Sequence, residues 1–213
     1  MQISFLHTIA ANQPLFDQAA CDLSILNARF SHLHRPDLRE AVAAAGGFND
    51  NLRSQLHECL QIMAANADAI MVTCATLGAA IDELDELPVP VLRSDIALAR
   101  AATAEHGKLT VLCGPESAVA SVQALYHGYR KGVEGITVTP LPEVWAFFTE
   151  GNFDACNAGI AAAISQAYAS GADVVALAHP WMASASTLVK GRQPFDIPHE
   201  ALKALISLYA QAT

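Results

Sequence analysis

Two stretches of this chain open on the same Ala-Asp pair, continue as an unbroken apolar run and finish on a residue able to move a proton, and they lie 105 residues apart. The first is Ala67-Asp68-Ala69-Ile70-Met71-Val72-Thr73-Cys74, the second Ala172-Asp173-Val174-Val175-Ala176-Leu177-Ala178-His179. A further pair, Ile3-Ser4-Phe5-Leu6-His7-Thr8 and Leu109-Thr110-Val111-Leu112-Cys113-Gly114, recurs at an offset of 106. Single apolar strands arise easily by chance, but two pairs in nearly constant register indicate a tandem duplication. Apolar runs without alternation suit parallel strands buried on both faces. The pattern therefore predicts an α/β fold of two similar lobes with mainly parallel sheets, related by a pseudo-twofold, with the active site in the cleft between them. The expected lobes are 1–97 and 98–213, with a C-terminal helix at about 198–213 able to pack on the first.

In open parallel sheets ligands gather at the carboxyl ends of the strands, where loops and helix starts leave N–H groups free. Cys74 and His179 take equivalent strand-end positions and are the candidate catalytic pair. Thr8 and Asn12 follow the first strand, and His7 beside them is either a substrate-orienting group or simply packed. Cys113-Gly114-Pro115-Glu116-Ser117 is a strand-to-helix turn with proline near the first helical position. Gly114 and Ser117 are its candidate binding residues, while Cys113 reads mainly as structural. Pro180 to Ser186 mixes apolar and hydroxylated residues suited to a pocket wall.

Between these points helical spacing predicts Pro36 to Ala45, with the Gly46-Gly47 stop, and a following helix capped by Asp50 or Asn51. That helix carries Leu52, Leu56, Cys59, Leu60 and Met63 on one stripe, which makes Cys59 a core residue. Asn152 is placed to cap a long helix ending at Gly171, with Cys156 on its core face. The last helix is read from Pro198 to Ala212. Ser31-His32-Leu33-His34-Arg35 holds a His-x-His pair without an acidic or sulfur partner at ligand spacing, so a solvated loop is expected and no metal is assigned.

Composition narrows the partners. With 53% hydrophobic and 15% charged residues the chain must bury extensive surface, within itself or between subunits, so a homo-oligomer is admitted. A net charge of −9 with no basic cluster argues against nucleic acid. Every apolar run is interrupted well short of the roughly 20 residues of a membrane span. Five cysteines without close spacing support neither a disulfide framework nor a zinc cluster, and reduced cytoplasmic thiols are expected.

With these residues in view, the chain resembles the aspartate/glutamate/hydantoin racemase superfamily almost from end to end. The likeness is carried by Val72-Thr73-Cys74-Ala75-Thr76-Leu77-Gly78, Pro90 to Asp95, Leu109 to Ser117 and Asp173 to Met182. The resemblance implies two α/β lobes, each presenting a cysteine at a strand end toward a carboxylate substrate. Cys74 matches the first cysteine and Thr76 a residue that binds the carboxylate; Ala75 and Pro180 join the expected binding set. The departure is His179, which stands where the two-cysteine enzymes have their second acid/base. Relatives lacking one cysteine include arylmalonate decarboxylase.

Taking a proton from the carbon beside a carboxylate requires a base near that carbon and donors for the charge growing on oxygen. Cys74 can be the base if a helix start lowers its pKa, with Thr8, Thr76, Ser117 and loop N–H groups as donors, and His179 can serve the opposite face. No cofactor is needed. The expectation is a cofactor-independent racemase acting on a small amino-acid or hydantoin-like substrate. The alternatives are a decarboxylase of a malonate-like acid that uses Cys74 alone as proton donor, and a non-catalytic carboxylate-binding protein. The Gly-x-Gly-x-x-Gly, phosphate-loop and Gly-x-Ser-x-Gly patterns are absent, which disfavours nucleotide and serine-hydrolase functions.

Overall fold

The computed structural model describes residues 1–25, 27–84 and 86–210, so the expected helix end at Ala212 lies outside the described residues. The chain divides into two compact units, one formed by Met1–Asp95 with the chain from Ala201 onward and the other by Ile96–Glu200.

The first unit contains β1 (Gln2–His7), α1 (Gln13–Asp22), β2 (Arg29–His34), α2 (Pro36–Ala44), α3 (Asp50–Ala64), β3 (Ala69–Val72), the single turn α4 (Ala75–Gly78) and β4 (Val91–Arg93). Its sheet is parallel throughout, in the order β2-β1-β3-β4. The helix α5 (Ser94–Ala104) leads into the second unit, with β5 (Gly107–Cys113), α6 (Val119–Gly128), β6 (Val133–Pro140), α7 (Pro142–Thr149), α8 (Phe153–Ala169), β7 (Val174–Leu177) and β8 (Phe195–Asp196). Its sheet repeats the same order one half later, β6-β5-β7-β8, again all parallel. The last helix, α9 (Ile197–Ala210), closes the described chain. No helix among the described residues is long and apolar enough to cross a membrane.

The apolar periodicity explains the layers. Leu52, Leu56, Cys59, Leu60 and Met63 make one buried stripe of α3, which joins Leu38 and Val42 of α2 and Leu6, Ile70 and Val72 of the sheet in one core. Each such aliphatic side chain contributes about 1.5–3 kcal/mol when fully buried. In the second unit Cys156, Ile160 and Ile164 recur every four residues and form the buried face of α8.

The repeated Ala-Asp pair has a structural role. Asp68 gives its backbone N–H to the Gln2 carbonyl at 2.8 Å and receives the Gln2 N–H on its carboxylate at 2.7 Å. Asp173 does the same to Lys108, with both bonds at 2.8 Å. The aspartate thus pins the start of the neighbouring strand and fixes the register of each central pair.

Two local expectations are corrected. The segment 31–35 expected as a solvated loop is largely the edge strand β2, because half-buried Phe30 and His32 alternate with exposed Arg29, Ser31 and Leu33, and Phe30, His32 and His34 pair in register with Ile3, Phe5 and His7. The cap of α3 is Asn49, whose side chain accepts the Leu52 N–H at 2.9 Å, and Asp50 is the first helical residue. Asn152 caps α8 as expected, accepting from the Ala155 N–H.

Candidate active site

Because β1 and β3 are adjacent and parallel, with Leu6 opposite Val72, the segments His7-Thr8 and Thr73-Cys74 leave the first sheet side by side. Leu112 lies opposite Leu177 in the second sheet, so Cys113-Gly114 and Ala178-His179 emerge in the same relation. Cys74 and His179 therefore occupy topologically equivalent points, each just past the strand on the same side of its sheet's first strand.

In the first unit Cys74 is half-buried and packs against the core under α3. It precedes α4, a four-residue turn, shorter than the helix start envisaged from the sequence. Ala75 and Thr76 on that turn are exposed. Thr8 is buried, and so is Asn12, whose Oδ1 is enclosed without a hydrogen-bond partner. A buried acceptor left open in this way costs stability unless a bound molecule satisfies it. His7 is wholly buried and belongs to a network rather than an open loop: Nδ1 is 2.8 Å from Thr73 Oγ1 and Nε2 is 2.9 Å from His32 Nδ1. Burial, with His32 and His34 nearby, pushes its pKa down to about 3.

In the second unit His179 follows β7 and precedes a 3-10 helix, Pro180–Leu188. Its ring lies parallel to Trp181 at 5.6 Å, and its Nε2 is enclosed without a partner. Burial pushes its pKa down to about 4, so the imidazole is neutral near pH 7. Trp181 also stacks on Phe148 at 4.3 Å and meets Trp145 at 5.7 Å. This aromatic shelf covers Gly114: a Cβ there would come within 2.8 Å of Trp181. Gly114 is buried beneath the indole, while Ser117 is exposed in the short 3-10 turn Glu116–Ala118 and Pro180 is buried. No Lys or Arg occurs in 113–118, 140–148 or 178–188, the loops at this sheet edge, whereas Glu116 and Glu143 do.

The remaining cysteines divide clearly. Cys59, Cys113 and Cys156 are buried with their thiols pushed up by burial, and Cys21 is exposed. Among the described residues no cluster of three or more His, Cys, Asp or Glu side chains is arranged to hold a metal ion. The residue missed from the sequence is His32. Its signal was the two-residue alternation of Phe30, His32 and His34, which sets the histidines on one face of a strand.

In sequence the chain matches no family model and no curated protein significantly. In structure it is similar to allantoin racemase from Klebsiella pneumoniae, at a TM-score of 0.71 and 15% identity over 100% of this chain and 89% of that one. An aspartate racemase homologue from Pyrococcus horikoshii OT3 aligns at a TM-score of 0.69 and 13% identity, over 98% and 99% of the two chains. A glutamate racemase from Bacillus anthracis aligns at 0.62 and 15%, over 99% and 82%. The chain has an α/β fold of the kind found in these racemases.

Proposed function

We propose that this protein is a cofactor-independent racemase that moves a proton at the carbon next to a carboxyl or equivalent carbonyl group, with Cys74 as acid/base on one face and His179 on the other. The observation that carries the reading is the equivalence of Cys74 and His179 on two sheets of identical strand order, in a fold shared with racemases. Inversion needs one group to remove a proton and another to return one, and two unlike groups can do this. Thr76, Thr8, Ser117 and the backbone around Ala75 and Gly114 are the proposed donors to the carboxyl oxygens, with Asn12 and Pro180 completing the wall.

The aromatic shelf and the absence of Lys and Arg from 113–118, 140–148 and 178–188 support an uncharged planar substituent, such as a hydantoin ring, over an acidic side chain. A second carboxylate would meet Glu116 and Glu143 at that edge without a compensating base. A flat heterocycle can stack on indole and imidazole faces.

One observation favours a second reading, a decarboxylase in which Cys74 alone delivers the proton. His179 is held neutral well below its ordinary range, which suits a hydrogen-bonding residue better than a proton donor. Deuterium entry from heavy water into a panel of amino acids, hydantoins and 2-substituted malonates, read by mass and chirality, separates the readings. Racemisation gives labelled product of both hands, decarboxylation gives loss of carbon dioxide with one hand, and neither in any member contradicts both.

A further inference from the structure

The hydrogen bonds around His7 admit few proton placements. Thr73 Oγ1 is 2.8 Å from His7 Nδ1 and 3.1 Å from the Leu6 carbonyl, and its single proton can serve only one of them. His7 Nε2 is 2.9 Å from His32 Nδ1, and His32 Nε2 is 3.2 Å from the Asp17 carboxylate, which can only accept. With both rings neutral, satisfying Asp17 requires a proton on His32 Nε2. His32 Nδ1 then accepts from His7 Nε2–H, and His7 Nδ1 accepts from the Thr73 hydroxyl. The Leu6 carbonyl loses nothing, because the Thr73 backbone N–H already reaches it at 3.0 Å.

A second placement exists once the network gains a proton. The incoming proton takes His7 Nδ1, and the Thr73 hydroxyl turns to Leu6. The Nε2 proton of His7 passes to Nδ1 of His32, which becomes an imidazolium facing Asp17. His7 ends neutral with its tautomer exchanged, so the charge never rests on the fully buried ring. We propose that Thr73, His7, His32 and Asp17 form a proton relay, in which a proton taken up from solvent is carried as positive charge on His32 beside the half-exposed Asp17 while the His7 proton exchanges from Nε2 to Nδ1, facing Thr73.

The titratable groups facing the pair are Asp17 from α1, which favours the charged state of His32, and His34 from β2, which opposes it. Just past β3 stands the uncharged Thr73, and Phe5 and Phe16 pack against the His7 ring at 5.8 and 5.7 Å. Burial lowers the pKa of both rings, and Phe5 stacks on His32 as well, at 4.9 Å, but of the two rings only His32 has a carboxylate beside it, Asp17, so a shared charge is favoured there. Thr73 immediately precedes Cys74, so the relay ends beside the proposed acid/base in the chain. Its use in turnover rests on the racemase reading, but its existence does not.

The test reads ring protons without substrate: long-range proton–nitrogen correlation spectra of the nitrogen-15-labelled full chain, recorded from about pH 8 to about pH 4. At the high end both His7 and His32 should carry their proton on Nε2. As His32 gains its second proton, the His7 proton should move to Nδ1 at the same midpoint. Asp17→Asn should lower that midpoint by about one pH unit, since an opposing charge is removed. His32→Gln should leave His7 in one tautomer across the range. A His7 that keeps its Nε2 proton while His32 titrates, or that still switches in His32→Gln, overturns the relay.

Discussion

The carboxylate of Asp173 accepts the backbone N–H of Lys108 at 2.8 Å while its own N–H returns a bond to the Lys108 carbonyl, so one residue holds the neighbouring strand at both of its backbone groups. Asp68 repeats the arrangement on Gln2. Asp173→Ala should lower unfolding free energy by about 1 kcal/mol, the usual worth of an accessible hydrogen bond to a charged acceptor after solvent screening. Gly107→Ala should cost more, because Gly107 sits at a φ of +95° and a Cβ there would collide with the Asp173 side chain. Urea denaturation of both variants checks the order.

The duplication was legible because its signature is one-dimensional: equal spacing, an aspartate before each inner strand and apolar runs with no alternation. The same reasoning loses β2, since on this edge strand Phe30, His32 and His34 share one face but Leu33 stands on the wet one and breaks the apolar-polar alternation, and two histidines draw attention to metal chemistry instead. His7 was seen at the correct sheet edge, but a strand-end position does not reveal that a partner two strands' worth of sequence away closes the ring nitrogens. The strand-to-helix turn marks Gly114 only as a candidate binding residue. Its burial under Trp181 depends on α7 and on the 3-10 helix after His179, and no local pattern around Gly114 encodes that.

Acid should weaken the fold through His179. Its pKa is pushed from 6.5 to about 4 in the folded protein, so between those values the unfolded chain binds a proton that the folded chain refuses. Its contribution therefore declines as pH falls from 6.5 toward about 4 and is level below. His7, pushed down to about 3, acts in the same direction. His179→Gln should flatten part of the fall in melting temperature over this interval. An identical pH profile in wild type and variant would remove His179 as a cause.

His179 also separates the chemical readings. For a racemase, His179→Asn should stop inversion while Cys74 still exchanges deuterium into one face of one enantiomer, because each group serves its own side. For a decarboxylase, the same variant should bind substrate less well but give product of unchanged handedness. Equal loss of exchange at both faces, alongside a lower melting temperature, would mark His179 as a packing residue beside Trp181.

The central claim concerns Cys74, and the most direct measurement is solvent deuterium exchange by the Cys74→Ser variant on a substrate that the wild type turns over. Replacing sulfur by oxygen changes shape little but places the proton-accepting group far above the neutral range. Exchange should fall by about three orders of magnitude or more, with the melting temperature close to that of the wild type, since Cys74 is only half-buried. Exchange retained at near wild-type rate in a folded Cys74→Ser protein would contradict the assignment of Cys74 as the acid/base.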